Sequence, residues 1–378
     1  MRRRIPAAFI RGGTSKALVF HSRDLPAERA DWDEIFLKAM GTPDRYGRQL
    51  NGMGGGVSSL SKVCVVGPPS VEGADVDYTF AQVQVKEAVV DYSGNCGNMS
   101  SAIGPFAVDE GLVPVPADGE TCVRIHNTNT RKIIAARFAV QGGQALESGT
   151  LAIPGVDGTG APVRLEFQQP GGASTGRLLP TGRAQDLLVL DDGRRIAASL
   201  VDAANACVFV AAEDLGLTGA DSPDEIGADA ATMATLAQLR LLGSVAMGIA
   251  PDLERAAAIR MIPLIAIVAA PRRTTTLDGT TIAAEEADLV VRMLSNGQPH
   301  RALPLTGSLC SAVAMQIADS IPGRLARRER DASGLRIAMP SGVLTVAADV
   351  RREDEGWHAR SGSFLRTTRR LFDGHVYA

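Results

Sequence analysis

Aromatic side chains are scarce in this chain: two Trp, four Tyr and ten Phe, 4% of 378 residues. A protein that holds single-stranded nucleic acid by stacking bases on rings needs more such platforms. Excess charge of one sign is also missing. The net charge is −3, so no global basic field draws in nucleic acid or an anionic membrane. No uninterrupted apolar run approaches the roughly 18 residues of a spanning helix. The basic start Met1-Arg2-Arg3-Arg4 is not followed by an apolar h-region, because Arg11 interrupts the run that begins at Ile5. A cytoplasmic location is therefore expected. The five cysteines, Cys64, Cys96, Cys122, Cys207 and Cys310, are odd in number and contain no CxxC pair. That argues against a disulfide framework or a zinc ribbon. The histidines His21, His126, His300, His358 and His375 lack metal-ligand spacing. Only His300, beside Arg301, falls near a loop of interest. Gly-Lys-Ser/Thr is absent, so no nucleotide-binding Walker loop is read. No metal and no cofactor is expected.

What is present is ordinary for a soluble globular protein: 45% hydrophobic and 21% charged residues. The length suggests two domains. Strand-like runs alternate with helical ones. Residues 30–40 form an amphipathic pattern with Trp32, Ile35, Phe36 and Ala39 at helical spacing. Further helices are expected at about 99–110, 226–250 and 283–294, and strands at 63–66, 77–85, 335–339, 343–349, 356–366 and 367–377. The Gly/Pro-rich stretch 168–180 reads as the linker. The halves are then 1–178 and 179–378, with return of the last strand to the first half left open.

The most informative segment is Ser93-Gly94-Asn95-Cys96-Gly97-Asn98. Cys96 stands immediately before an apolar helical run. A thiol at a helix N-terminus meets the positive end of the helix dipole, which favours thiolate. Small neighbours leave room for a ligand, and the first N–H groups of the helix can hold a carboxylate. Lys62 is the second candidate. It follows a Gly/Ser loop and opens the buried strand Val63-Cys64-Val65-Val66. Partial desolvation of an ammonium favours the free amine, the form a base needs. Arg11, Ser15 and Lys16, in the loop Arg11-Gly12-Gly13-Thr14-Ser15-Lys16, suit a distal carboxylate, for which the arginine fork gives a bidentate contact.

A weak internal repeat is visible. Gly97-Asn98-Met99-Ser100-Ser101-Ala102-Ile103 aligns with Gly307-Ser308-Leu309-Cys310-Ser311-Ala312-Val313. Two structurally equivalent halves are expected. The alignment sets Thr306 opposite Cys96 and Leu264 opposite Lys62, so the second half would bind but carry no proton chemistry. The N–H groups of Gly97, Asn98, Gly307 and Ser308 could then stabilise an anionic intermediate.

These motifs, together with Asn51-Gly52-Met53-Gly54-Gly55, Ser61-Lys62, Pro180-Thr181-Gly182 and Thr306-Gly307-Ser308, resemble the PrpF family of methylaconitate, methylitaconate, aconitate and 4-oxalomesaconate isomerases. The resemblance runs through nearly the whole chain. It implies an α+β, diaminopimelate epimerase-like fold: two pseudo-symmetric domains, each a curled, mostly antiparallel sheet around a central helix, with the active site in the interdomain cleft. It implies cofactor-independent proton transfer on a small unsaturated di- or tricarboxylate, with Lys62 and Cys96 as acid/base residues. Substrate contacts fall on Arg11, Thr14, Ser15, Lys16, Asn51, Gly52, Met53, Asn95, Gly97, Asn98, Thr306, Gly307 and Ser308. The first expectation is cis–trans or double-bond isomerisation of 2-methylaconitate or aconitate, as in propionate catabolism. 4-Oxalomesaconate tautomerisation and methylitaconate isomerisation are the alternatives. Asn51, where many relatives are expected to carry aspartate, leaves the choice of acid open. Two other classes stand beside these: a two-base epimerase, and a non-catalytic assistant of an aconitase-like enzyme. No nucleic-acid or membrane partner is expected, and homodimerisation is left open.

Overall fold

The computed structural model describes residues 3–329, 334–353 and 356–378. The chain divides into two units, Met1–Glu166 with Leu365–Ala378, and Phe167–Phe364.

In the first unit β1 (Arg4–Gly12) and β2 (Ser15–His21) form an antiparallel hairpin. Its turn is Gly13-Thr14, and Gly13 has φ +52°, a region that glycine enters without steric cost. β2 runs parallel to β3 (Lys62–Gly67), and the crossover carries α1 (Trp32–Met40). β3 pairs antiparallel with β4 (Val76–Val83). β4 runs parallel to β5 (Gly119–Asn127), and that crossover carries α2 (Gly97–Asp109). β5 pairs antiparallel with β6 (Lys132–Gln141). The C-terminal strand Thr368–Tyr377 lies antiparallel to β1.

Strand alternation sorts β3 between two layers. Val63 and Val65 join Leu18, Phe20, Phe36 and Met40 in the core under α1. Lys62 and Cys64 take the opposite face, where α2 lies. α2 is buried from Gly97 to Val108, as a helix in the middle of a domain must be. Its small residues permit this. A Cβ on Gly104 would come within 2.8 Å of Phe138 and 3.0 Å of Ala136 on β6.

The second unit repeats the order. β7 (Arg195–Ala203) is antiparallel to β8 (Asn205–Ala211), and β8 is parallel to β9 (Leu264–Ala269), with α3 (Ala230–Ala246) in the crossover. β9 is antiparallel to β10 (Leu289–Ser295), and β10 is parallel to β11 (Leu335–Met339), with α4 (Leu305–Gln316) between them. β11 is antiparallel to β12 (Gly342–Glu353). Every pairing direction and both helix insertions match the first unit. The duplication suggested by one short alignment is therefore a property of the whole topology.

Two expected helices are corrected. Residues 283–294 hold a single 3-10 turn, Ala284–Glu286, followed by strand β10. The run Leu289-Val290-Val291-Arg292-Met293-Leu294 is buried on both faces, so it shows no alternation to separate it from a helix. Residues 226–250 are broken at Asp229, whose side chain accepts from the N–H groups of Ala231 and Thr232 and starts α3.

Candidate active site

Lys62 opens β3 and is 6% exposed. Its Nζ donates to Gln82 Oε1 at 2.6 Å and lies 4.9 Å from the centroid of the Phe80 ring. Gln82 faces Lys62 across the β3–β4 ladder. The Gln82 amide is itself fixed, since Nε2 donates to Ser58 O at 3.0 Å and Ser61 O at 2.8 Å. That orientation leaves only the amide oxygen for the lysine. A neutral acceptor thus holds the lysine Nζ in place.

Cys96 is the N-cap of α2, in extended conformation (φ −113°, ψ 97°), and is 8% exposed. Its carbonyl accepts from Ser100 N at 3.0 Å and Ser100 Oγ at 3.1 Å. Its own side chain makes no capping bond. The loop before it is built on amides. Ser93 N and Oγ donate to Asp91 Oδ1, Asn127 Nδ2 donates to Asn95 Oδ1 at 3.2 Å, and Asn129 Nδ2 holds Tyr92 O at 2.8 Å.

Cys64 is a buried neighbour of Lys62. It sits one residue pair along β3 from Lys62, on the same face, and its Sγ–H donates to Tyr78 Oη at 3.8 Å. Burial drives its thiol well above the ordinary range; the charge of Cys96 adds to the rise, while Tyr78 and Lys62 oppose it. Burial likewise raises Tyr78, with Cys64 and Cys96 acting in the same direction. Cys64 and Tyr78 therefore stay neutral.

The hairpin turn β1–β2 closes against the start of α2. A Cβ on Gly12 would sit 2.6 Å from Asn98 O, and one on Gly13 would sit 2.2 Å from Asn98 Oδ1. Thr14 N donates to that same Oδ1 at 3.4 Å. Ser15 is buried, and Lys16 Nζ lies 5.7 Å from the Phe9 ring centroid. Arg11 Nη1 donates to Gly13 O at 3.0 Å and Thr367 O at 2.9 Å, so its guanidinium ties the turn to the C-terminal segment. Burial and Arg369 lower its pKa, and Glu147 opposes this.

Asn51, Gly52 and Met53 occupy a different place, at the C-terminal end of α1. Met53 N donates to Ala39 O at 2.9 Å, and Gly52 packs on Gly41. Asn51 lines a cavity of about 830 Å³ with Tyr46, Arg48, Leu50 and Tyr377; neither Lys62 nor Cys96 lines it. In the second unit Thr306, Gly307 and Ser308 form the first turn of α4 and are all buried. Ser308 N donates to Pro304 O at 2.9 Å. A Cβ on Gly307 would strike Met293 and Leu264. The N-cap of α4 is Pro304, so the position matching Cys96 by its place on the helix is proline, two residues before the Thr306 that the sequence repeat sets opposite it. By either alignment that position has no ionisable side chain. Leu264 opens β9 as Lys62 opens β3.

Gln82, Asn127 and Arg366 were not anticipated. Gln82 and Arg366 lie in strand-like runs where a lone polar residue reads as a solvent-facing position. The cross-strand register reveals what Gln82 touches, and the packing of α2 reveals what Arg366 touches.

The model of the family described as PrpF protein matches residues 2–378. The chain belongs to the PrpF family. It is 39% identical over 376 residues to the 3-methylitaconate isomerase of Eubacterium barkeri, covering 99% of this chain and 97% of that one. It is 36% identical to the 2-methyl-aconitate isomerase of Shewanella oneidensis, covering 99% and 96%. A crystal structure of methylitaconate-delta-isomerase, 39% identical, superposes with a TM-score of 0.78 over 100% of this chain and 96% of that one. By this kinship the chain is an isomerase with the duplicated, epimerase-like α+β fold that its motifs implied. Among the described residues no cluster of three His, Cys, Asp or Glu side chains could hold a metal ion, and no helix is long and apolar enough to cross a membrane.

Proposed function

We propose that this PrpF protein moves a proton on an unsaturated di- or tricarboxylate without a cofactor, with Lys62 and Cys96 as its acid/base pair. What supports the reading is that Lys62 opens β3 as a buried amine held by the neutral Gln82 amide, while Cys96 is the buried cap of α2, the helix packed against β3. The chemistry follows from the substrate class. A carbon next to both a double bond and a carboxylate is a weak acid. Removing its proton forms a dienolate whose charge spreads onto oxygen. One of the pair takes that proton, and the other delivers a proton to a different carbon, so the double bond moves. Return to the same carbon after rotation changes its geometry instead. The N–H groups of Gly97 and Asn98 suit the developing oxyanion, and one such donor is typically worth about 3–4 kcal/mol.

The acid we favour is 2-methylaconitate or aconitate, supported by the 2-methyl-aconitate isomerase relative. Methylitaconate and 4-oxalomesaconate are the alternatives; the first has support from the 3-methylitaconate isomerase relative. The test is incubation in D₂O with trans-aconitate, 2-methylaconitate, methylitaconate and oxalomesaconate, followed by NMR. At least one acid should exchange a carbon-bound proton. Cys96→Ser and Lys62→Met should each slow that exchange by orders of magnitude. Exchange that survives both substitutions would sink the proposed pair. Absence of exchange from every acid would favour a non-catalytic assistant.

A further inference from the structure

Arg366 ends the strand Gly356–Arg366 and is 3% exposed. Its Nε donates to Asn98 Oδ1 at 3.2 Å, and its Nη1 donates to Leu365 O at 2.9 Å. Burial pushes its pKa down to about 9. Placing a guanidinium in so dry a position is unfavourable unless its donors are used. The oxygen it reaches belongs to the second residue of α2, two positions after Cys96.

An Asn amide offers an oxygen on one side and two N–H donors on the other, and its neighbours decide which way it points. Here two donors, Arg366 Nε and Thr14 N, converge on Oδ1. A flipped amide would set its NH₂ against both. Nδ2 is therefore turned away from them, and it donates to none of the described residues. Thr14 Oγ1, on the residue whose N–H meets Oδ1, is buried without a hydrogen-bond partner, which is costly unless a ligand supplies one.

We propose that Arg366 is a positioning residue for the proton-transfer site: it fixes the Asn98 side chain so that Nδ2 is presented to a carboxylate of the substrate. This rests on the reading of Lys62 and Cys96 given above. Arg366 touches no substrate; it acts through Asn98. A carboxylate held in this way is held in ground and transition states alike, so the effect falls on KM.

The test uses the acid that exchanges in the D₂O panel as substrate, and tricarballylate, a saturated tricarboxylate with no double bond to move, as competitive inhibitor. Arg366→Met should raise KM and the tricarballylate inhibition constant at least tenfold and change kcat by less than threefold. Asn98→Ala should do the same, and the double variant should be no worse than either single one, because both remove one interaction. Asn98→Asp keeps an acceptor for Arg366 but offers the substrate an anion, so it should raise KM further; it decides the matter if Arg366→Met fails to fold. Wild-type KM in folded Arg366→Met or in Asn98→Asp would overturn the proposal, as would KM losses that multiply in the double variant. Cys96→Ser and Lys62→Met separate the two readings. If they abolish exchange while the Arg366 and Asn98 variants bind normally, only the Arg366 proposal falls. If exchange survives them, the site reading falls and takes this proposal with it.

Discussion

Replacing Gln82 by Met keeps the length and volume of the side chain and removes its amide. Three buried hydrogen bonds go with it: Lys62 Nζ to Oε1, and Nε2 to Ser58 O and Ser61 O. Ser61 O keeps the Val83 N–H at 3.1 Å, so its loss counts little. The bond from the lysine is worth about 1.5–3 kcal/mol, and the Ser58 carbonyl left without this donor costs about 1–3 kcal/mol. Gln82→Met should therefore destabilise the protein by about 2.5–6 kcal/mol, read from urea unfolding. Deuterium exchange should fall at least tenfold more than any loss of folded protein explains. Gln82→Glu separates anchoring from chemistry. At the 2.6 Å of the present contact, an opposite charge attracts the ammonium by roughly 6 kcal/mol at an effective dielectric of 20, before desolvation is subtracted. That variant should recover part of the stability, because a carboxylate still accepts from Nζ, and leave exchange below the wild-type rate. Wild-type exchange in folded Gln82→Met would refute the argument that Lys62 needs this anchor to move protons.

Other perturbations reach the same frame. Gly13→Ala puts a Cβ 2.2 Å from Asn98 Oδ1 at φ +52°, so a stability loss of about 1–3 kcal/mol is expected. A raised KM should accompany it, and a normal KM in the folded variant would contradict the contact. Gly307→Ala overpacks Met293 and Leu264 and should cost about 1–3 kcal/mol in urea unfolding. Glu110 tests pH dependence. Burial pushes its carboxyl up, but hydrogen bonds from His21 and Arg370 outweigh that and hold it below the usual value. Its contribution is thus complete above the unfolded value of about 4.3 and is lost as pH falls through the lower folded value. Glu110→Gln should be less stable than wild type at pH 7, with the gap closing below pH ~4; a gap that persists in acid would show that packing, not charge, is responsible.

Much of the frame was legible because it rests on local signals. The helix at α1 showed its Trp32, Ile35, Phe36 and Ala39 stripe, and the C-terminal strands showed their alternation. The loop before α2 was legible because glycine and asparagine around a lone cysteine make poor core and a good helix entry. β10 failed for the opposite reason. A strand covered on both faces reads as an unbroken apolar run, and Glu285-Glu286 ahead of it imitated a helix start. Gln82 and Arg366 were illegible for a deeper reason. Gln82 meets Lys62 across a strand pair, and Arg366 meets Asn98 across 268 residues of chain. Neither partner is announced by spacing. Arg11 shows the converse: its residue type suggested a carboxylate, while its guanidinium reaches two backbone carbonyls.

The duplication bears on the kind of proton transfer the frame can support. Both units place a helix between the same two strands and open the equivalent central strand at the same point. Inversion by two opposed bases would call for a proton carrier in each copy. The first copy has Lys62 at the start of β3 and Cys96 at the cap of α2. The second has Leu264 and Pro304 at those places, neither of which can carry a proton. Cys310 lies further along α4, fully buried, with its Sγ on Val201 O at 3.3 Å, and Cys207 is driven up by burial and by Cys310. Those thiols are core. An epimerase-like topology whose proposed acid/base residues are confined to one copy suits a reaction in which a proton leaves one carbon and returns to another. It suits two-face inversion at a single carbon poorly. Restoring symmetry by Leu264→Lys should therefore bury an unpaired amine in the second unit and destabilise it, without creating a second centre of exchange.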